Sequence, residues 1–224
     1  MTVPGAAQPG WVAPDVAEEF PGLRLRTVVV SAAGAAGRSP RDVRERLRAL
    51  SSRVRGDQAI VQRQQPIPLA YRAFFRQVGL DPDATRTPAE AAVLQRLVHG
   101  EFRSRGLLDD ALTVALVETG VPVRALDGEQ ADGALGIRAS AAGERLGRRG
   151  SEAPPLAAGR LVVADAAGPV AELFGPPAAG HGVTKATRQA LLYAVAVPGV
   201  PDIHAEEALW CAAELLDPGL APGR

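Results

Sequence analysis

Hydrophobic positions recur at helical spacing through the first half of the chain and at strand spacing through the second. Val43, Leu47, Leu50 and Val54 lie on one stripe of a helix opening at Ser39-Pro40-Arg41-Asp42. There a hydroxyl cap, a proline and a first-turn acid suit a helix start. Tyr71, Phe74, Phe75 and Val78 fall at i, i+3, i+4 and i+7 of a second helix from about Pro66 to Val78, which Gly79 is placed to end. Aromatics at that spacing belong to a core rather than to a base-stacking platform, because large rings dominate core burial. Thr87-Pro88-Ala89-Glu90 is a capping box heading a third helix, with Val93, Leu94, Leu97 and Val98 as its inward stripe. A fourth helix, about Leu108 to Thr119, stops at Gly120.

Before these helices, Phe20–Val30 reads as a strand. From Val121 onward the pattern becomes short strands between Gly/Pro/Asp turns: Val121–Leu126, Ala134–Ala139, Arg160–Ala164, Pro169–Phe174 and Ala190–Val197. Gly147–Gly159 is a polar loop. The last element is a helix over Asp202–Leu216, capped by Asp202, with Ala208, Leu209, Ala212 and Leu216 inward. Helices and strands are segregated more than alternated, which predicts an α+β domain with a mixed β-sheet and flanking helices. A single domain over 20–216 is expected, with a loose segment 1–19 and a loose tail 217–224.

Composition narrows the classes. Lys+Arg and Asp+Glu are 25 each, so the net charge is zero, and Lys185 is the only lysine. That balance argues against a simple polybasic nucleic-acid binder. The zero conceals an asymmetry: residues 38–105 hold fourteen arginines against seven acids, and residues 106–224 hold nine cations against fifteen acids. A basic region of this kind makes a local positive field within a neutral whole. Its plainer interpretation is a set of solvated helix faces. One cysteine, Cys211, makes no intramolecular disulfide, and no apolar run approaches the ~18–20 residues that span a bilayer. A cytoplasmic protein with no membrane partner is the expectation.

The chemistry-bearing residues are few. His99, His181 and His204 stand in no metal-binding spacing, so neither metal nor cofactor is expected. Cys211 and His204, two turns apart, are too far apart for a nucleophile–base pair. Gly175–Thr187 superficially resembles a phosphate loop, but no Lys-Ser/Thr follows Gly180, and Pro176 and Pro177 remove backbone donors. What remains is a turn presenting His181, Thr184, Lys185 and Thr187 beside a strand, either a pocket wall or a loop satisfying its own backbone. Asp127, Arg138, Glu144 and Asp165 sit at predicted strand ends or turns. They either pair to pin the sheet or line a cleft.

Several stretches carry a family resemblance: Tyr71–Pro82, Thr87-Pro-Ala-Glu90 with Arg96, Leu108-Asp109, Gly120–Asp127, Gly133–Arg138, Gly143-Glu144, Leu161–Asp165 and Val183–Thr187. In order and spacing they resemble the B3/4 domain of the phenylalanyl-tRNA synthetase beta subunit and its stand-alone relatives, over about residues 20 to 216. The resemblance implies a mixed-sheet α/β domain with a central cleft between two lobes. It also implies a tRNA-associated module that binds an aminoacyl-tRNA end and hydrolyses its ester. It places Arg124 where the family's editing histidine stands, Ala179 near its glutamate, and Leu112 and Thr113 at its threonine and asparagine. Asp127, Arg138, Glu144, Asp165 and Thr187 match the family pattern. If esters are hydrolysed here, His181, Thr184 and Lys185 are the catalytic candidates for holding water and stabilising an oxyanion. Arg124, Asp127, Arg138, Glu144 and Thr187 are then the substrate-binding set. Two alternatives stay open: a binder or tailoring enzyme for an amino-acid-like small molecule, without RNA, and a non-catalytic interaction module.

Overall fold

The computed structural model describes residues 7–54, 63–147 and 152–217. The six predicted strands, joined by two short unpredicted ones, assemble into two four-stranded sheets. The first has the order β1 (Gln8–Pro9), β3 (Arg24–Ser31), β8 (Gln189–Ala196), β4 (Val123–Asp127), antiparallel throughout. The second has the order β2 (Trp11–Val12), β5 (Gly136–Ala139), β6 (Leu161–Ala164), β7 (Pro169–Glu172). There β2 runs parallel to β5 and the remaining pairs are antiparallel. The central strand β8 is an almost continuous apolar run, and Ala190, Leu192, Tyr193, Ala194, Val195 and Ala196 are all buried. A strand covered on both faces needs that pattern rather than alternation.

Among the described residues six helices complete the α+β architecture: α1 (Pro14–Glu19), α2 (Arg41–Arg53), α3 (Pro66–Gln77), α4 (Pro88–His99), α5 (Leu107–Thr119) and α6 (Asp202–Leu216). Helices α5 and α6 pack together and α6 lies on β3 and β8. Their buried faces carry Ala111 and Ala115 on α5 and Ala205, Ala208 and Ala212 on α6, all without measurable exposure. Small side chains there let the helix backbones approach closely. Tyr71, Phe74 and Phe75 on α3 are buried as core, and the Tyr71 hydroxyl donates to the Val195 carbonyl at 2.6 Å. A smaller second core joins Leu47, Leu50 and Val54 with Phe102 and Val114 on α5.

Four expectations change. The segment expected to be loose is ordered from residue 8, where β1 joins the first sheet and β2 the second. The crossing residue between them is Gly10, and a Cβ there would lie 2.7 Å from the Leu135 carbonyl oxygen and from Leu25 Cδ2. The tail from residue 218 lies outside the described residues. Ser39 does not cap α2. Pro40 is the N-cap, and the Ser39 hydroxyl instead donates to Asp110 at 2.5 Å. Asp202 does not cap α6 either. It accepts from Arg24 Nε at 2.5 Å and Arg26 Nη2 at 2.7 Å. Burial pushes its carboxyl up, but the two guanidiniums outweigh burial and hold it below the ordinary aspartate value. On α4 the Thr87–Glu90 capping box forms as expected, yet Leu97 and Val98 are 40% and 67% exposed. No helix among the described residues is long and apolar enough to cross a membrane.

Candidate functional site

The start of α5 organises a region that opens into two cavities. Gly106, at φ 134°, is its N-cap, a conformation L side chains rarely adopt. The first helical amides reach back across the chain, Leu107 N to Gly37 O at 2.9 Å and Leu108 N to Ala35 O at 3.0 Å. One turn on, Asp110 is 1% exposed. Its carboxylate accepts from the hydroxyls of Ser39 and Ser104, each at 2.5 Å, and from the Arg105 amide at 2.9 Å. A buried carboxylate is tolerated where donors replace its water. Here those donors come from two separate stretches, so Asp110 ties loop 35–39 and strip 101–106 to one helix.

A cavity opens on each side of that strip. One, of about 590 Å³, is bounded by α4, α5 and the start of β4. Leu112, Thr113, Arg103, His99, Asp109 and Arg124 are among its lining residues. The other, of about 640 Å³, is a basin between α2, the strip and the 181–187 turn, holding Arg38, Arg44, Arg48, Arg105 and Lys185 with Glu101. Glu101, Phe102, Ser104 and Arg105 line both.

Arg124 is an anchored cation of the first cavity. It sits on β4 opposite Tyr193 of β8, and its Nη2 donates to the Phe174 carbonyl at 2.6 Å. Phe174 itself has φ +65°, uncommon for a residue with a Cβ. Its ring is held by stacking on Phe75 at 5.6 Å and by edge contacts with Tyr71 and Phe74. Arg124 Nε is buried and has no acceptor among the described residues, and neither does the Tyr193 hydroxyl. Burial raises the Tyr193 pKa, against the opposing pull of the Arg124 charge.

The structure separates the predicted site residues. Asp127, His181, Thr184 and Thr187 come together as one network closing the 181–187 turn onto β4. Asp127 N donates to His181 O at 2.8 Å, Thr187 Oγ1 to Asp127 Oδ2 at 2.6 Å, and Thr184 N to Thr187 Oγ1 at 2.9 Å. The His181 ring is 3% exposed, its Nδ1 has no partner among the described residues, and it is not among the residues lining either cavity. Arg138 and Glu144 form a forked pair on the second sheet at 2.8 and 2.5 Å. That hydrogen bonding raises the guanidinium pKa and, against burial, holds the carboxyl below the ordinary glutamate value. Asp165 accepts from the amides of Asp132, Ala167 and Gly168, pinning a turn. Only Arg124 and Lys185 reach the cavities, one in each.

Cys211 lies 3.6 Å from Arg46 Nη2 and from Glu118 Oε2, and burial pushes its thiol up to about 12, so it is no nucleophile at neutral pH. His204 pairs with Glu207 at 3.3 Å instead. Among the described residues, no three or more of His, Cys, Asp and Glu gather as a metal site. Two functional features escaped the sequence. Asp110 looks like an ordinary first-turn acid. The basin arginines had one faint signal: Arg44 and Arg48 are four apart with no acid at i±4 from either, unlike Arg41 with Glu45.

Two phenylalanine–tRNA ligase beta subunits, from Xanthomonas oryzae pv. oryzae strains MAFF 311018 and KACC10331 / KXO85, are each 37% identical to this chain over 93 residues. The match covers 42% of this chain but 11% of either subunit, so the chain corresponds to a small part of those proteins. Residues 70–203 match the model of the B3/4 domain, covering α3 from residue 70 on, both cavities' shared strip and every strand from β4 to β8. With more than half of its length under that model, the chain belongs to the B3/4 domain family.

Proposed function

We propose that this chain, a module related to a tRNA synthetase, captures the aminoacyl 3′ end of a tRNA, with the amino acid entering the cavity between α4, α5 and β4. The observation that carries this is Arg124, a guanidinium anchored on Phe174 O with its Nε lacking an acceptor, at a cavity of about 590 Å³. A fixed, partly desolvated donor of this kind suits an ester carbonyl. Leu112, Leu116 and Phe102 offer apolar surface to the attached side chain. Arg124 serves binding rather than proton transfer, because a guanidinium stays protonated through neutral pH and takes no proton from an attacking water.

The test is filter binding over a panel of aminoacylated and uncharged tRNAs, with ester loss followed in parallel. One or more aminoacyl-tRNAs should bind at least 10-fold tighter than the same tRNA uncharged, and Arg124→Gln should erase that preference. Ester loss should stay at the rate seen in buffer. Equal binding of charged and uncharged forms across the panel overturns the proposal.

A further inference from the structure

The basin beside that cavity has no part in recognising an amino acid, and its charge is unexplained by the fold. Arg38, Arg44, Arg48 and Lys185 have no ion pair among the described residues, and Arg105 reaches only Asp109, at 3.9 Å. Other arginines of the same helix are neutralised: Arg41 by Glu45 at 2.7 Å and Arg46 by Glu118 at 2.5 Å. Arg44 Nε is buried with no acceptor. Arg44 and Arg48 are one turn apart on α2, so they share a face. Lys185 arrives from the far end of the chain, held there by the Thr184–Thr187–Asp127 bonds of its turn. Glu101 is the single carboxylate among the lining residues. Gathering five cations around a space of about 640 Å³ is self-repulsive unless an anion enters.

We propose that this basin is a phosphate site, taking the oxyanion of a phosphate ester. Arg44, Arg48 and Lys185 make the principal contacts, and Arg38 and Arg105 stand at its margin. The basin shares the strip Glu101–Arg105 with the neighbouring cavity. Its natural occupant is therefore a backbone phosphate of the same RNA end whose last residue enters that cavity. This part rests on the capture reading, whereas the phosphate chemistry does not. Arg38, Arg44 and Arg48 lie outside the family-matched residues 70–203.

The probes are AMP and a labelled single-stranded RNA of about six nucleotides ending in CCA, titrated into the full chain over a salt series. The variants are Arg48→Gln/Lys185→Gln, both at exposed positions, and Arg44→Gln, each checked for an unchanged melting temperature. The expected result is a loss of RNA affinity of at least 10-fold in the double variant. The slope of log K against log salt should shrink by about 0.7 for each phosphate released. Arg124→Gln should leave that slope unaltered, so a basin that responds while aminoacyl preference is missing refutes capture and keeps the phosphate site. AMP binding that is lost in the variants, with no RNA binding in the wild type, supports the site and assigns it to a small phosphate ester. Binding of both probes that is unchanged in the double variant and in Arg44→Gln overturns the proposal.

Discussion

Replacing Asp110 by alanine removes the acceptor that joins loop 35–39 and strip 101–106 to α5. Three donors lose their partner, but they do not lose equally. Ser39 is 3% exposed, so its hydroxyl is stranded away from water. An unsatisfied buried donor of that kind costs about 1–3 kcal/mol. Ser104 and Arg105 are exposed residues, and water takes over much of their bonding. Each of those charge-assisted bonds therefore contributes well under the ~1.5–3 kcal/mol of a protected one. Release of the buried carboxylate's own desolvation cost offsets part of the sum. The net expectation is a loss of about 3 kcal/mol. For a chain of this size that lowers the melting temperature by about 6–12 °C. Asp110→Asn keeps one carbonyl acceptor and should lose about half as much. Circular dichroism melts at pH 7 measure both variants. A shift under about 2 °C for alanine, or equal losses for asparagine and alanine, refutes the account of Asp110 as a multidentate anchor. Because both cavities share the strip, ligand binding to either should weaken in Asp110→Ala even well below its melting temperature.

Two further outcomes follow from the geometry. The Arg46 hydrogen bond holds the Glu118 carboxyl below its ordinary value against the opposing effect of burial, and Arg138 does the same for Glu144. Below the ordinary glutamate value of about 4.3 the unfolded chain binds more protons than the folded one, so stability is full above that pH and falls as pH drops through the lowered folded values. Urea unfolding from pH 7 to 3 should show this drop, and Glu118→Gln should lower the plateau while making the drop shallower; an unchanged pH profile in that variant contradicts the assignment. At Gly136, a Cβ would lie 1.9 Å from Trp11 Cδ2. Gly136→Ala should therefore expel the indole from its place on β5, break the Trp11 Nε1 bond to Ala134 O and cost about 1–3 kcal/mol. Tryptophan emission should shift to the red, and an unshifted spectrum with unchanged stability counts against it.

The helices from α2 onward were legible because their signals are local, whereas α1 lies in the segment expected to be loose. The Thr87–Glu90 box and the Tyr71–Phe74–Phe75 spacing each need only a turn or two of chain to declare themselves, and both appear in the fold as read. Strand positions were legible for the same reason. The division into two sheets was not, since β1 and β2 are two-residue strands inside a Pro/Gly-rich stretch with no period to detect. Ser39 misled because a hydroxyl before a proline satisfies the local rule for a cap. Its actual acceptor is 71 residues away, and nothing local competes with a buried carboxylate. Leu97 and Val98 misled in the opposite sense, having the right period without a neighbour to cover them. Among the site residues, Arg124 and Lys185 reached the cavities, while the Asp127–Thr187 and Arg138–Glu144 groups serve their own turns and sheet. Whether an arginine on α2 is paired or bare depends on which distant segments the fold brings beside it.

The crossing at Gly10 has a consequence for the order in which the molecule is made. The stretch Gln8–Val12 is made before the strands it pairs with, yet it finishes neither sheet by itself. Pro9 pairs with Arg26 soon afterwards, whereas Trp11 waits for Gly136, and β3 waits for β8 at residues 189–196. Pairings that distant in sequence are slow to close. The early segment is therefore engaged in stages, β1 before β2, and the β3–β8 pairing closes after both. Until β8 has been synthesised, β3 and β4 of the first sheet lack the strand that joins them, and a growing chain is most exposed to mispairing during that interval.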